Sequence, residues 1–502
     1  MKNISAKKII GFILLFYTFS NFLTLIVFIS IMGLSIFRSV FMSKNKVKAP
    51  SESKLPGRTW FNLCLFGLVG QIAWNLENMY YNTFMYNTVY EGGTVTGTLS
   101  SMTAIRLMVA LSAITAVVTT FIMGNLSDKM NKRKVFISVG YLIWGVITAA
   151  FGFLTKENIG GLLGLSDTAQ IVTATAISII AMDCIMTFVG STSNDSAFNA
   201  WVTDITTTKN RATAESVLSI LPIVATVVVV ILGGMIEPLG GYSNFFFILG
   251  GFVILCGVIG LFTLKDSRNG ERNPNASYWK DLVYGFKPSV IKENSKLYIA
   301  LAAVGIYSVA VQIFFPYLLI YLGKLGLKVE DLGQYLTTPV LIAAPFILVG
   351  AGALIIGAGK LIDKIGKKNF VLIATVLFVA GLIIAGFADT LGLFGIAAVP
   401  LLTGYALLGI MLNSTVRDYT PDDKVGLFQG IRMIFFVLIP MVVGPAIGDA
   451  VCKAAASGTY FENGMEKYEP CAEMFLAAGA VAVFMLIPLI ILRKKGIDKK
   501  ED

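Results

Sequence analysis

Four amides and one acid stand close together in a single apolar stretch. In GQIAWNLENMYYNTF (Gly70 to Phe84), Gln71, Asn75, Asn78 and Asn82 follow one another at spacings of 4, 3 and 4 residues. That rhythm stacks them on one face of an α-helix. Trp74 and Tyr81 flank the face, and Glu77 lies just beyond it. Amides beside aromatic rings suit a sugar: the amides exchange hydrogen bonds with hydroxyls, and a ring packs on the sugar's C–H face. Four amides turned to lipid would be costly, so they face a cavity or another helix. The competing reading is hydrogen-bonding glue between helices.

Glu77 needs a partner if it is charged. It sits ten residues before Asn87, about 15 Å along a helix from that end. Arg106, on the next apolar run, lies nine residues past Gly97, about 14 Å in. Adjacent antiparallel helices bring the two to one depth, so a Glu77–Arg106 pair is expected. Protonation of Glu77 would then release Arg106 and couple proton movement to substrate binding. The competing reading is a permanent ion pair that fixes helix register. Asp183 is another mid-helix acid. Thr187, Ser191, Asn194, Asp195 and Phe198 share one broad face of the same helix, which is expected to line the cavity. Asp183 or Asp195 is the alternative proton carrier, and Asp195 reads equally as a helix-end charge in water.

Further along, Tyr307, Gln312, Tyr317, Asn413, Gln429 and Arg432 are the polar candidates. Arg432 binds a hydroxyl or an acidic sugar, or locks a gate to Asp204 or Asp418; the lock is the preferred reading. Pro316, Pro339, Pro440 and Pro445 mark expected helix kinks and gating points.

Several chemistries are excluded. The chain of 502 residues contains no His, so a Ser-His-Asp triad, a His metal site and a His proton relay are all absent, and proton chemistry falls to carboxylates. The five Cys (Cys64, Cys184, Cys256, Cys452, Cys471) contain no C-x-x-C pair, which argues against thiolate zinc. No metal and no cofactor are implied. No glycine-rich phosphate loop is present, so any transport runs on a gradient or downhill.

These residues are carried by an unusually apolar chain. Hydrophobic residues make up 56% and charged residues 14%, and mean hydropathy is +0.76; soluble chains carry about 25% charged residues. Apolar runs fall at 9–37, then at twelve core positions: 60–87, 98–123, 134–154, 168–194, 213–236, 243–264, 297–322, 336–358, 369–388, 393–414, 428–452 and 471–492. Their length and unbroken apolarity demand helices in lipid rather than barrel strands. With the C-terminus inside, thirty Lys and Arg fall in the inside loops against five outside. The positive-inside rule therefore places the C-terminus in the cytoplasm and the N-terminus outside. The same asymmetry accounts for the net charge of +10 as topology, not nucleic-acid binding.

The expected organisation is an extra N-terminal transmembrane segment (1–37), a cytoplasmic linker (38–59), a first six-helix half (60–264), a cytoplasmic central loop (265–296), a second six-helix half (297–492) and a cytoplasmic tail (493–502). The middle of the central loop mixes aromatic and charged residues. It reads as a short surface helix or as a solvated connector. Cys452 and Cys471 bracket the longest outside loop of the second half, where a disulfide is possible. The other three thiols read as core residues.

Two loops echo each other: GNLSDKMNKRK (Gly124 to Lys134) and GKLIDKIGKKN (Gly359 to Asn369). Each follows the second helix of its half. The offset of 235 residues also carries the start of the first core span, Trp60, close to the start of the seventh. Matching halves with a mid-membrane site between them are a mark of secondary transporters.

The doubled motif resembles the signature loop of the major facilitator superfamily. The resemblance implies a cytoplasmic latch that stabilises the outward-open state, carried here by Asp128 and Asp363 with Lys129 and Lys364 in support. Asn131 departs from the usual glycine. NDSAFNAWVTDITTTKNRATAESVLSILP (Asn194 to Pro222), RDYTPDDKVGLFQGIRMIFFVLIP (Arg417 to Pro440) and the Gly70 to Phe84 segment resemble the glycoside–pentoside–hexuronide:cation symporters, including the melibiose-permease-like and sucrose-transporter-like proteins. That resemblance implies uptake of a sugar or glycoside with a cation. The second span has no Asp or Glu before the signature loop, where sodium-using melibiose-type relatives carry acids, and this favours a proton.

The expected protein is thus an all-α, multi-pass cell-membrane carrier of the major-facilitator fold, with pseudo-two-fold halves. It is expected to act as a monomer in the lipid bilayer on a small-molecule substrate and a co-transported cation, not as an enzyme. An exporter of drugs or amphiphiles is the first alternative, predicting an apolar aromatic cavity. A non-transporting receptor or scaffold is the second.

Overall fold

The computed structural model describes residues 55–130, 132–206, 211–266, 285–327, 367–421, 425–462 and 465–495. The expected N-terminal segment, the eighth core span with Pro339, the second signature loop with Asp363 and Lys364, and most of the central loop lie outside them. So do the side chains of Asp128, Lys129 and Gln429.

Apart from the eighth, every expected core span falls on a described helix. The first starts at Gly57–Leu76 and runs on as helix to Met85–Val89. The others are Ser101–Met130, Arg133–Ala150, Thr168–Gly190 with its continuation to Ile205, Arg211–Gly233, Tyr242–Thr263, Ser295–Phe314, Lys367–Gly386, Leu391–Tyr419, Val425–Met433 continued by Ile439–Ala454, and Glu473–Phe484. Among the described residues, 8 helices are long and apolar enough to cross a membrane. Their outward side chains, such as Val146 and Phe262, are apolar and exposed, as a lipid-facing surface requires.

Small residues set the helix crossings. A Cβ on Gly145 of the third span would lie 2.6 Å from the Gly250 carbonyl oxygen of the sixth, and one on Gly250 would lie 2.5 Å from the Gly145 oxygen. Backbone therefore meets backbone there, the mode of packing used where lipid removes the hydrophobic drive between helices. Spans nine and ten repeat the device: a Cβ on Gly404 would come 2.4 Å from the Phe378 nitrogen. Aromatic clusters fill the interior of each half. Tyr81, Phe151 and Phe246 pack together in the first, Tyr321, Phe394 and Phe475 in the second.

Three spans widen from α to π geometry, over Glu77–Tyr81, Ser191–Phe198 and Ile434–Leu438. The first two stretches carry Glu77, Asn78 and Tyr81, and Ser191, Asn194 and Asp195. Such bulges re-aim side chains and gather at functional positions.

One element departs from the all-helical expectation. Between spans eleven and twelve, Thr459–Glu462 and Met465–Tyr468 pair as an antiparallel hairpin, Thr459 opposite Tyr468. Alternation is too short there to have stood out in the sequence. The hairpin marks one end of the bundle; the Lys- and Arg-rich loops mark the other.

Candidate functional site

Glu77 is buried between three helices. Ser112 of the second span donates to its Oε1 at 2.5 Å, and Thr187 of the fourth donates to the same oxygen at 3.1 Å. The two hydroxyls also lie 2.7 Å from each other. Among the described residues, Glu77 Oε2 is buried without a hydrogen-bond partner, as is Asp183 Oδ1. The Glu77 carboxylate interacts electrostatically with Asp183 and with Asp195. Asp195 accepts from Ser191 Oγ at 2.9 Å and is partly exposed. Three carboxyls on the first and fourth spans thus share one neighbourhood, bridged to the second span by Ser112.

The pairing expected for Glu77 is corrected. Arg106 Nε lies 3.2 Å from Asp449 Oδ2 of the eleventh span. The expected common depth does not hold either: Glu77 meets the second span at Ser112, six residues and about 9 Å along the helix from Arg106, and Arg106 faces the second half.

The amide row divides in two. Gln71, Trp74, Asn75 and Asn78 are partly exposed, whereas Tyr81 and Asn82 are buried. The widened turn at Glu77–Tyr81 shifts the helical register, so the last two turn into the interior of the half. Tyr81 stacks on Phe151 at 3.9 Å between ring centroids, and its hydroxyl donates to Met186 Sδ at 3.1 Å. Asn82 Nδ2 donates to the Asn78 carbonyl at 2.8 Å. Its Oδ1 is buried and, among the described residues, has no hydrogen-bond partner. Trp74 leans on Trp144, with ring centroids 5.1 Å apart, and Asn78 Nδ2 donates to the Trp74 carbonyl at 2.7 Å, leaving its amide oxygen for another partner.

Asn194 is a structural lock. Its Nδ2 donates to Tyr141 Oη at 2.7 Å, and Tyr141 donates to the Phe66 carbonyl at 2.8 Å. Gly70 makes room for it: a Cβ there would fall 2.0 Å from Asn194 Nδ2. One chain of hydrogen bonds therefore ties spans one, three and four.

In the second half, Tyr307 donates to the Tyr405 carbonyl at 2.9 Å and Tyr317 to the Pro445 carbonyl at 3.2 Å, both from buried positions. Their hydroxyls hold helices together. Gln312 is half-buried with its Cβ against Gly444, and Asn413 is exposed, donating to its own helix at Gly409. The Arg432 guanidinium lies 4.9 Å from the centre of the Phe436 ring. At the basic end, Asp204 is held by Arg133 at 3.1 Å, and Arg133 also donates to Ser127 Oγ at 2.5 Å. The described part of the first signature loop is thereby tied to the fourth span. Asp418 is exposed at that same end.

Three contributors escaped the sequence reading. Asp449 had a signal, a lone carboxylate in an apolar run four residues before Lys453. Arg133 was hidden among its basic neighbours. Ser112 had none, because hydroxyls in such helices usually bond their own backbone, as Thr115 and Ser178 do here. At the hairpin end, Lys453 Nζ reaches Asp449 at 3.0 Å and donates to Thr103 Oγ1 of the second span at 2.6 Å. Tyr460 Oη donates to the Gly93 carbonyl at 2.9 Å, and Lys467 Nζ donates to the Thr94 carbonyl. The two halves are therefore joined at the hairpin end.

The sequence matches the family described as Major Facilitator Superfamily over residues 78–445 and 341–501. Among solved structures, the chain is similar to a bacterial homologue of the human lysosomal transporter Spinster in an inward-facing, unoccupied conformation (15% identity, 89% of this chain and 100% of that one, TM-score 0.58). It is also similar to a nucleoside transporter (13%, 86% and 99%, 0.59) and to a D-xylose–proton symporter (13%, 85% and 97%, 0.58). At these identities the likeness is one of fold. No curated protein sequence matches the chain closely enough to count as a relative.

Proposed function

The chain belongs to the Major Facilitator Superfamily, a family of secondary transporters, and we propose that it imports a sugar or glycoside together with a proton by alternating access. One observation carries this reading: the partly exposed polar face of Gln71, Trp74, Asn75 and Asn78 stands directly beside buried Glu77, whose hydrogen bonds among the described residues come from hydroxyls. A polar face on a transmembrane helix is costly against lipid, so we place it on a water-filled chamber between the halves. Amides and an indole ring there meet a hydroxylated ring; an amphiphile exporter has no use for them.

Glu77 is the group that takes up the proton. Among the described residues its hydrogen-bond partners are the hydroxyls of Ser112 and Thr187 and no basic side chain, and a carboxylate buried without a counter-charge is expensive. Proton uptake makes it neutral and lets the first and fourth spans move as one. Asp183 and Asp195 share the electrostatic environment and are the relay toward the chamber. The resemblance to glycoside–pentoside–hexuronide:cation symporters points the same way, as does the D-xylose–proton symporter among proteins of this fold. Taking the basic end as cytoplasmic, the joined hairpin end is the outer gate. Arg133 with Asp204, and Asp128 with Asp363, belong to the inner one.

The test is uptake of a radiolabelled sugar panel into vesicles, with and without an imposed pH gradient. At least one sugar is expected to accumulate only with the gradient. Accumulation indifferent to the gradient would remove the proton. Glu77→Gln is expected to abolish gradient-driven accumulation while sparing sugar exchange; full accumulation in that variant would pass the role to Asp183 or Asp195.

A further inference from the structure

Cys452 ends the eleventh span and Cys471 precedes the twelfth, and both side chains are fully buried. Their sulfurs lie 3.3 Å apart. The stretch between them is the hairpin with its flanks, and its base is held from several sides. Ser457 Oγ donates to Glu473 Oε2 at 2.5 Å, and the Glu469 amide donates to the Gly458 carbonyl at 2.9 Å. Lys324, at the end of the seventh span, reaches the Ser457 carbonyl at 3.2 Å and Glu469 Oε1 at 2.6 Å. Gly458 itself lies against the Cys452 carbonyl, where a Cβ would fall 2.2 Å from the oxygen. Backbone and side-chain contacts of the loop, beyond those of the sulfurs themselves, thus bring the two thiols together. The hairpin then crosses to the first half, through Tyr460 and Lys467, onto Gly93 and Thr94.

We propose that Cys452 and Cys471 are joined by a disulfide that staples the base of this hairpin, making it a fixed strap from the second half onto the first. The bond forms by thiol–disulfide exchange with a protein or small-molecule disulfide. Cys452-SH and Cys471-SH lose two electrons and two protons, the S–S bond of the donor breaks, and two donor thiols leave. The proposal rests on the orientation read from the loop charges, which puts the hairpin on the oxidising side of the membrane, and it is independent of what is transported.

The experiment uses the full chain in the membranes of the cells that make it. Free thiols are alkylated with N-ethylmaleimide in denaturing detergent, excess reagent is removed, and the protein is reduced and treated with a polyethylene glycol maleimide. The expected result is two added polymer chains per protein, carried by Cys452 and Cys471, while Cys64, Cys184 and Cys256 are already alkylated. No added polymer would overturn the proposal, because denaturation exposes buried thiols and only bonded ones escape the first reagent. Cys452→Ser is expected to abolish the shift. If two chains still add in that variant, Cys471 has bonded another cysteine of this protein, and if one adds it has bonded another molecule; either result makes the pairing wrong. Reductant is further expected to lower the melting temperature of the wild-type protein and to leave that of the Cys452→Ala/Cys471→Ala protein unchanged. An unmoved wild-type melting temperature would overturn the strap.

Discussion

Asn75 and Asn78 each present a neutral amide on the exposed side of the first span. A neutral hydrogen bond is worth about 0.5–1.5 kcal/mol net, a factor of roughly 2 to 13 in affinity. Asn75→Ala or Asn78→Ala is accordingly expected to raise the KM for the transported sugar severalfold while the maximal rate holds. Unchanged KM in both would mean that the amides only pack. Asn82→Ala is a useful contrast, because its side chain is buried and bonded to Asn78: it is expected to lower thermal stability and leave KM nearly untouched. The amide spacing was legible as a stripe because an ideal helix was assumed. The real helix gains an extra residue per turn at Glu77–Tyr81, and no residue in NLENMYYN announces that widening.

Helix crossings are the next scale. Spans three and six meet through Gly145 and Gly250 with no side chain between them. Gly145→Leu is expected to separate the two helices and to prevent recovery of monodisperse protein in size-exclusion chromatography. Gly251 of the sixth span, beside which a Cβ would meet open space, is the control: Gly251→Leu should elute like the wild type. Equal behaviour of the two variants would show that this contact does not hold the half together. The existence of the helices was readable from apolar run lengths, since lipid leaves the backbone no other way to satisfy its hydrogen bonds. Which glycines mark crossings was not, because 49 glycines give many candidate small-residue faces and only packing selects among them. The hairpin between spans eleven and twelve is the converse case, short strands stabilised by what they touch rather than by their own pattern.

For the molecule as a whole, the joint between halves at the hairpin end is expected to act as the outer gate of the proposed transport cycle. Asp449 is almost fully buried and is shared by Arg106, Lys453 and Thr103. Removing its charge leaves two cations facing each other across the joint. Asp449→Asn is expected to shift the balance toward the state open at that end by about tenfold, or ~1.4 kcal/mol. This is below the cost of breaking a fully enclosed pair, because the Arg106 side chain is 35% exposed and solvent screens it. The readout is the rate at which a membrane-impermeant thiol reagent, added from outside, labels a cysteine placed at Gln71. Faster labelling is expected in the variant, and exchanging the charges with Arg106→Asp and Asp449→Arg should restore the slow rate. A rate that ignores Asp449→Asn would remove this pair from the gate.

Composition, run length and the doubled signature loop were enough to place the chain in its family and to set its class of fold, because the bilayer penalises every arrangement but apolar helices. Tertiary structure alone decided the partners. Glu77 went to two hydroxyls and Arg106 to Asp449, and Asn194 ties the fourth span to the third through Tyr141. The reason is geometric: sequence spacing reports distance along one helix, while contact depends on how neighbouring helices slide and rotate against each other, and both are fixed only when close-packed neighbours and a widened turn settle them together.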